Sequence, residues 1–239
     1  MQQLRKGLQD GIPIGLGYLS VSFTFGIISV SYGLTWWQTL LISMTNMTSA
    51  GQFAGVSIMA SMGTYVEMAL TQFIINLRYS LMSVSLSQKV NHNFKGIYRW
   101  LLGFGITDEV FAVAIGQKGK IGKSYVLGLI ITPYIGWTMG TLLGAIFGNI
   151  LPEMVSSALG IALYGMFIAI MVPPAKENKS IAIVILIAVF MSCCFQWIPV
   201  LKKVSVGFVV IICGVVASII GAILYPIAGE EQLQKEVEE

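Results

Sequence analysis

The sequence predicts an all-α, polytopic integral membrane protein. Of its 239 residues, 56% are hydrophobic and only 10% are charged, whereas a soluble domain averages about 25% charged residues. The mean hydropathy of +0.81 agrees with this class. The apolar runs are about 20 residues long, which is the length that a helix needs to cross a bilayer. Strands of a membrane barrel would be shorter and would alternate strictly between apolar and polar residues, a pattern that the sequence lacks.

About seven or eight hydrophobic segments follow one another along the chain. We expect them near residues 12–32, 38–60, 65–86, 100–117, 124–150, 154–172, 180–197 and 204–227. They leave room for short loops only, so we expect one transmembrane domain over residues 1–229 and an acidic tail at residues 230–239. The first segment has no clear cleavage site after it and is expected to stay as a signal anchor.

The distribution of charge predicts the orientation of the chain in the membrane. The formal net charge is only +3, and the basic residues lie in loops, which is typical of a membrane protein and not of a nucleic-acid-binding one. Arg5 and Lys6 precede the first segment, and the loop at residues 88–99 is also basic. We therefore expect the N-terminus and this loop to be cytoplasmic.

Residues for catalysis, metal binding or a cofactor are too few in the sequence. Cys193, Cys194 and Cys213 lie in apolar runs without the spacing of metal ligands. His92 is the only histidine and lies in a polar loop. There is no ATP-binding motif. We therefore expect neither an enzyme nor a cofactor.

Small residues in segments one and five predict close contacts between helices. Segment five contains Pro133, where we expect a kink. It also contains a row of glycines at every fourth position: Gly136, Gly140, Gly144 and Gly148. Segment one is rich in Gly and Ser as well. Because Tyr18 and Gly26 in segment one resemble Tyr134 and Gly144 in segment five, the sequence suggests an internal repeat, as in many transporters.

The middle of segment two is polar, and it allows two interpretations. Residues 43–52 are mostly Ser, Thr, Asn, Gln or Gly. They could belong to a continuous helix buried among other helices, with hydroxyls bonded back to the backbone. Alternatively, the helix breaks near residues 49–51 and exposes backbone N–H groups at a half-helix N-terminus, which is suited to a carboxylate.

Segment three contains Arg78 within an apolar run. A charge there costs about 2.5 kcal/mol or more, so Arg78 must face a protein interior, a partner charge or a water-filled path. Segment four contains Thr107, Asp108 and Glu109 at its centre. Thr107 could cap a second short helix that begins with the two acids.

Segment four has basic residues on both sides, which a simple crossing does not explain. Lys118, Lys120 and Lys123 follow it, and the basic loop at residues 88–99 precedes it. Either segment four re-enters the membrane from the cytoplasm, or one of these two loops departs from the positive-inside rule.

The charges of segments three and four also allow two interpretations. Arg78 and Asp108 or Glu109 could form an ion pair that only fixes the packing of the helices. Alternatively, Arg78 binds the carboxylate of a substrate, while Asp108 or Glu109 takes up the proton that drives transport. The two functional roles are compatible with one another.

Five motifs occur in an order that resembles the AzlC family, the large subunit of two-component branched-chain amino acid exporters. They are residues 11–18 with Phe25 and Gly26, residues 49–53, residues 76–83, residues 107–111, and Trp137 with residues 140–144. The resemblance extends to about residue 174. It implies an exporter of leucine, isoleucine and valine, with methionine as a further candidate, in the bacterial inner membrane. It also implies a small membrane subunit of the AzlD type and export driven by the proton gradient.

An amino acid as the expected cargo gives the polar residues of segments two and three a role. We expect its backbone to be bound by residues from both segments: Arg78, Asn46, Ser49, Gly51, Gln52 and Asn76. Phe23, Phe25 and Phe53 are candidates for the side-chain pocket. Asp108 and Glu109 are the candidates for proton coupling. An uncoupled channel, or an exporter of another small hydrophobic solute, is the alternative function.

Overall fold

The computed structural model describes residues 2–91, 94–148, 168 and 171–226. Within these residues the regular structure is helical, apart from an isolated bridge between Val90 and Ile121. The chain divides into two compact units, residues 1–166 and 167–239. The all-α membrane class is confirmed. Most of segment six, His92 and the acidic tail lie outside the described residues, and the single domain over residues 1–229 stays a prediction.

The described part of the first unit contains seven helices, and that of the second contains two long ones. The first unit has α1 (Gln2–Ser31), α2 (Trp36–Thr45), α3 (Ser49–Ala60), α4 (Tyr65–Lys89), α5 (Ile97–Gly105), α6 (Asp108–Gly116) and α7 (Lys123–Phe147). The second has α8 (Lys179–Trp197) and α9 (Val206–Leu224), and residues 171–177 are also helical. By length and composition, α1, α7, α8 and α9 are able to cross a membrane.

Helices α1 and α7 run parallel and in contact along most of their length. A Cβ atom on Gly7 would lie 2.9 Å from the backbone of Leu129, and one on Gly136 would overlap the backbone of Gly15. Further along both helices, a Cβ on Gly26 would lie 2.6 Å from the nitrogen of Ala145. This confirms the predicted close contact of the glycine row. The predicted start of segment one at residue 12 is wrong, because α1 already packs on α7 at Gly7.

Segment two is broken, and its second half runs antiparallel to α4. The glycines of α3 show the direction: Gly51 contacts Gln72, whereas Gly55, one turn later, contacts both Gln72 and Met68. Helix α2 begins just after α1 ends, and α3 leads to the start of α4. We call the pair α2–α3 the first hairpin. It begins and ends at the end of the first unit where α1 stops.

Segment four is a second hairpin, α5–α6, which starts from the opposite end. Asn91 before it and Ile121 after it are joined by a backbone hydrogen bond of 3.0 Å. At the same end, the Lys6 ammonium donates to Gln117 over 2.7 Å. Segment four therefore starts and ends at the same end of the unit, with both of its basic flanks there, as expected for a segment that re-enters. We call this end, where α1 and α7 begin and α4 stops, the basic end.

The order of a long helix followed by a broken hairpin occurs twice in the first unit. Helix α1 precedes the first hairpin and α4 precedes the second. Because α1 begins and α4 stops at the basic end, the two copies of this arrangement, α1 to α3 and α4 to α6, run in opposite directions. Segments one and five run parallel in α1 and α7, so this pair does not form an inverted repeat, and the suggested internal repeat between them stays a prediction.

The second hairpin is held by an apolar core. Side chains of α4, α5, α6, α7 and the loops at the basic end form it: Leu86, Phe94, Leu102, Ile106, Val110, Ala114, Ile121, Tyr125, Val126, Leu129 and Ile130. Gly105, at the end of α5, allows the hairpin tip to approach Ile130. The core therefore fixes α6, whose first turn carries Asp108 and Glu109.

Candidate functional site

The breaks of the two hairpins lie near the same residue of α7, Tyr134. Its hydroxyl donates to the backbone oxygen of Met44, in the last turn of α2, over 3.2 Å. Its ring centroid lies 6.0 Å from that of Phe104, near the end of α5. Two interrupted helices thus come close to one residue of α7, on a face of the unit where Met44 and Phe104 are partly exposed.

The first turn of α6 carries a pair of acids and is capped as the sequence predicted. The Thr107 hydroxyl accepts a hydrogen bond from the nitrogen of Val110 over 3.3 Å. Asp108 and Glu109 follow in the first turn, where the helix dipole favours negative charge. The N-terminus of a half-helix therefore presents two carboxylates.

Arg78 of α4 pairs with Asp108. Its Nη1 atom lies 2.6 Å from Oδ2 of Asp108, with side chains that are 43% and 28% exposed. Its Nη2 atom donates to the hydroxyl of Tyr79 over 3.2 Å. The described residues thus cover the pair only partly. The predicted neighbour of Arg78 is thus Asp108, and Glu109 faces another helix.

Glu109 accepts a hydrogen bond from the hydroxyl of Tyr18 on α1. Tyr18 is buried, and its ring meets that of Trp137 edge-on, with 5.3 Å between the centroids. The first turn of α6 is therefore attached to α4 through Asp108 and to α1 through Glu109. Sequence reasoning missed Tyr18, Tyr79 and Trp137, because aromatic residues in apolar helices are usually core or interface residues.

A pocket of about 190 Å³ lies beside Glu109 on the side of α1. Residues of α1 form its other walls: Pro13, Ile14, Gly17, Tyr18 and Val21. It is thus an apolar pocket with one carboxylate. The predicted side-chain pocket lies elsewhere, and there Phe25 is fully buried against Phe53, with 5.3 Å between the ring centroids.

At the tip of the first hairpin, Asn46 stabilises the break between α2 and α3. Its Oδ1 atom accepts hydrogen bonds from the nitrogen and the hydroxyl of Thr48, each 2.9 Å long. Thr48 is the N-cap residue of α3, but its side chain makes no capping bond to the first turn. The backbone N–H groups that begin at Ser49 are therefore left for another acceptor.

Gly51 and Asn76 are linked through Gln72 of α4. The side-chain amide of Gln72 donates to the backbone oxygen of Gly51 over 2.7 Å. The side-chain amide of Asn76 donates to the backbone oxygen of Gln72 over 2.7 Å and to its Oε1 atom over 3.2 Å. The structure therefore brings together the predicted residues of segments two and three. Gln72 was missed, although it is a polar residue in the same apolar run as Arg78.

Gln52 connects the first hairpin to α7. Its amide nitrogen donates to Ser43 over 3.0 Å, and Ser43 shares a hydrogen bond of 2.7 Å with Thr141. Thr141 in turn donates to the backbone oxygen of Trp137 over 3.0 Å. Through Trp137 and its contact with Tyr18, the tip of the first hairpin is linked to Glu109 of the second.

Several buried polar atoms around the two tips lack a hydrogen-bond partner among the described residues. They are Ser49 Oγ, Gln52 Oε1, Asn76 Oδ1 and Trp137 Nε1. Such atoms are rare in folded proteins and require an explanation, such as a water or a ligand. Within the described residues, no three His, Cys, Asp or Glu side chains come together as metal ligands would.

Comparison with known proteins identifies the family. The family model described as AzlC protein matches residues 13–151, more than half of the chain. The chain belongs to the AzlC family. This is a family of the membrane transport type. Both hairpins, α4 and α7 lie within the matched residues, so the site just described is part of the AzlC region.

Relatives of this AzlC-family protein occur in Archaea and Bacteria. An uncharacterized membrane protein of Archaeoglobus fulgidus is 32% identical over 72% of this chain and 76% of its own length. The inner membrane protein YgaZ of Escherichia coli K12 is 25% identical over 74% of this chain and 76% of its own length. An uncharacterized membrane protein of Helicobacter pylori 26695 is 23% identical over 62% of this chain and 68% of its own. No solved structure matches the chain.

Proposed function

We propose that this AzlC-family protein is a secondary transporter that exports branched-chain amino acids across the bacterial inner membrane, driven by protons. Leucine, isoleucine and valine are the expected substrates, with methionine as a further candidate. The observation that carries the proposal is the meeting of two broken helices at Tyr134, one with an uncapped N-terminus and the other with an ion pair. Broken helices with charged or open ends near the middle of the membrane are typical of secondary transporters.

The first hairpin supplies the groups that suit the backbone of an amino acid. A carboxylate is favoured at the N-terminus of α3, where the N–H groups from Ser49 to Gly51 lack a side-chain cap. The unpartnered oxygens of Gln52 and Asn76 are acceptors that suit an ammonium group. Asn46 stabilises the break between α2 and α3 through its hydrogen bonds from Thr48.

The second hairpin supplies the coupling. When Asp108 takes up a proton, it loses its charge and no longer holds Arg78, which is then free to bind the substrate carboxylate bidentately. When the proton leaves, Asp108 competes for Arg78 again and the carboxylate is released. The 2.6 Å contact between Arg78 and Asp108 supports this exchange, because direct competition requires that both anions use the same guanidinium. Glu109 is the second carboxylate available for the proton.

We place the basic end in the cytoplasm. Residues on α1, α4, α5, α7 and the two loops that flank the second hairpin contribute to its charge: Arg5, Lys6, Lys89, Lys95, Arg99, Lys118, Lys120 and Lys123. An excess of Lys and Arg marks the cytoplasmic side of a membrane protein. The N-terminus is then cytoplasmic, the first hairpin enters from outside, and the second enters from the cytoplasm.

An efflux assay tests the proposed function. Cells are loaded with dipeptides of leucine, isoleucine, valine or methionine, and release of the amino acids is measured with and without a co-expressed small membrane subunit of the AzlD type. We expect saturable export that requires both subunits and stops when an uncoupler collapses the proton gradient. Export that does not saturate and ignores the uncoupler would identify a channel. A short reading frame for a four-span protein beside this one would support the predicted partner.

A further inference from the structure

The pocket beside Glu109 has the size of a small solute. Its volume is about 190 Å³, whereas pockets for drug-sized ligands occupy about 300–1,000 Å³. It opens between α1 and the first turn of α6, next to the acid that forms the ion pair with Arg78. A small molecule here would therefore lie beside the proposed coupling residues.

The lining of the pocket combines hydrocarbon with one negative charge. Pro13, Ile14 and Val21 offer only carbon atoms, and Glu109 offers a carboxylate. A carboxylate accepts about four hydrogen bonds, and the described partner of Glu109 is the single hydroxyl of Tyr18. The remaining lone pairs suit an ammonium group, which carries three donors.

We infer that this pocket is a second position for the exported amino acid, distinct from the one at the first hairpin. Here Glu109 binds the ammonium group and the apolar wall receives the aliphatic side chain. The inference rests on the proposed function and locates its cargo. Ile14 and Val21 are then the wall that limits side-chain size, in place of Phe25 and Phe53, which pack against each other.

This assignment separates the roles of the two neighbouring acids. Asp108 faces Arg78 of α4 and exchanges with the substrate carboxylate. Glu109 faces Tyr18 of α1 and the pocket. Glu109 therefore distinguishes an amino acid from a fatty acid of the same length, whereas Asp108 links binding to the proton.

Substituting Gly17 by progressively larger residues tests whether the pocket binds the substrate. A Cβ atom at Gly17 would meet no atom within 4 Å, although this residue lines the pocket. A larger side chain there adds volume at a lining position without a clash at its first carbon. Gly214 of α9 also has open space around an added Cβ atom and lies in the second unit, so Gly214→Val is the matched control.

The experiment compares leucine and valine export by the wild-type protein, Gly17→Ala, Gly17→Val and Gly214→Val, each co-expressed with the small subunit. One methylene in an apolar pocket changes the relative rate by about 10–200-fold. We expect Gly17→Val to lower the ratio of leucine to valine export by about tenfold or more, Gly17→Ala to lower it less, and Gly214→Val to leave it unchanged. Immunoblots of membranes report the amount of each variant.

A second measurement tests the ammonium ligand. In the wild-type protein, leucine should compete with labelled leucine far better than 4-methylpentanoate, which has the same carbon skeleton without the amino group. Glu109→Gln keeps an oxygen for the Tyr18 hydroxyl but loses the charge, so it should lose most of this preference. Preserved discrimination by Glu109→Gln would exclude Glu109 as the ammonium ligand.

The outcomes separate this inference from the proposed function. Export that continues with an unchanged leucine-to-valine ratio in Gly17→Val overturns the pocket and leaves the transporter intact. If Gly17→Val is missing from the membrane, the ratio measured for Gly17→Ala decides in the same way. A wild-type protein that exports neither amino acid overturns both proposals together.

Discussion

At the scale of single residues, the unusual feature of the chain is Arg78, a cation within an apolar run. Its partner is Asp108, and the Tyr79 hydroxyl accepts a further hydrogen bond from it. An ion pair of this kind cannot lose one member cheaply, because the other is left uncompensated in an apolar environment. Residues with such constraints are candidates for function by default in membrane proteins.

Replacing Asp108 by Asn should uncouple export from the proton gradient. The amide keeps the size of the carboxyl group, but it cannot exchange a proton or compete as an anion for Arg78. We expect leucine efflux driven by the gradient to fall by about tenfold or more, as for the loss of a positioned proton acceptor. The assay is efflux at a series of imposed pH gradients.

Asp10→Asn is the control for this change, because Asp10 is a carboxylate of the basic end that accepts from Tyr125 over 2.7 Å. Leucine export by the Asp10→Asn variant should depend on the proton gradient as it does in the wild-type protein. If Asp108→Asn and Glu109→Gln both export at the wild-type rate under the same gradient, coupling through these carboxylates is wrong.

The residues of the site differ in how well the sequence predicted them. Arg78, Asp108 and Glu109 were recognised because a charge in an apolar run is expensive. Tyr18 and Trp137 were not, because an aromatic ring in a membrane helix has no cost that distinguishes a functional position from a core one. The assignment of Asp108 to Arg78 and of Glu109 to Tyr18 also depends on how α6 is rotated, which residue types alone do not determine.

At the scale of elements, the first hairpin depends on a glycine at the start of α3. A Cβ atom at Gly51 would lie 2.7 Å from Oε1 of Gln72 and would overlap the Thr48 hydroxyl. Gly51→Leu should therefore close the space at the α3 N-terminus and abolish export, while the protein still enters the membrane. Efflux of leucine and the membrane level of the variant are the two measurements.

The control is Gly214→Leu, where added side-chain atoms begin in open space. It should export at nearly the wild-type rate. Normal leucine efflux from Gly51→Leu would show that the N-terminus of α3 is not the binding site for the amino-acid backbone.

The contact of α1 with α7 should tolerate an added side chain far less well than the hairpin tips do. A Cβ atom at Gly136 would overlap the backbone of Gly15, so Gly136→Leu must force the two helices apart along their length. We expect loss of most of the folded protein, measured as the monodisperse peak in fluorescence-detected size-exclusion chromatography. Gly103→Leu in α5, which meets no atom within 4 Å of its Cβ, should keep the peak. Equal peaks would contradict the tight contact.

The breaks themselves were predictable, whereas the paths of the hairpins were not. Dense polar and glycine residues indicated the first break, and Thr107 before two acids indicated the second. Whether each broken segment crosses or returns is decided by contacts between distant residues, such as the hydrogen bond from Asn91 to Ile121. Basic residues on both flanks of segment four were the one local indication of a return.

At the scale of the whole molecule, the two hairpins enter the first unit from opposite ends, and labelling can test this arrangement. Cys193, Cys194 and Cys213 are first replaced by Ala, and single cysteines are then placed at Lys95, Lys118 or Tyr65. We expect an impermeant maleimide to label Tyr65→Cys in intact cells, because Tyr65 lies at the opposite end and is 94% exposed.

Lys95→Cys and Lys118→Cys should be labelled only after the cells are made permeable. These two positions flank the second hairpin, so their equal behaviour is the test of re-entry. Labelling of one from outside and the other from inside would mean that residues 97–116 cross the membrane once.

The parallel contact of α1 and α7 also has a consequence for biosynthesis. Asp10 and Tyr125, which bond across this interface, are 115 residues apart in the chain. At a synthesis rate of about 5–20 residues per second, α1 waits for roughly 6–23 s before α7 leaves the ribosome. During that time the glycine face of α1 lacks its partner helix α7. We therefore expect this face to be where a membrane chaperone can be crosslinked to the nascent chain.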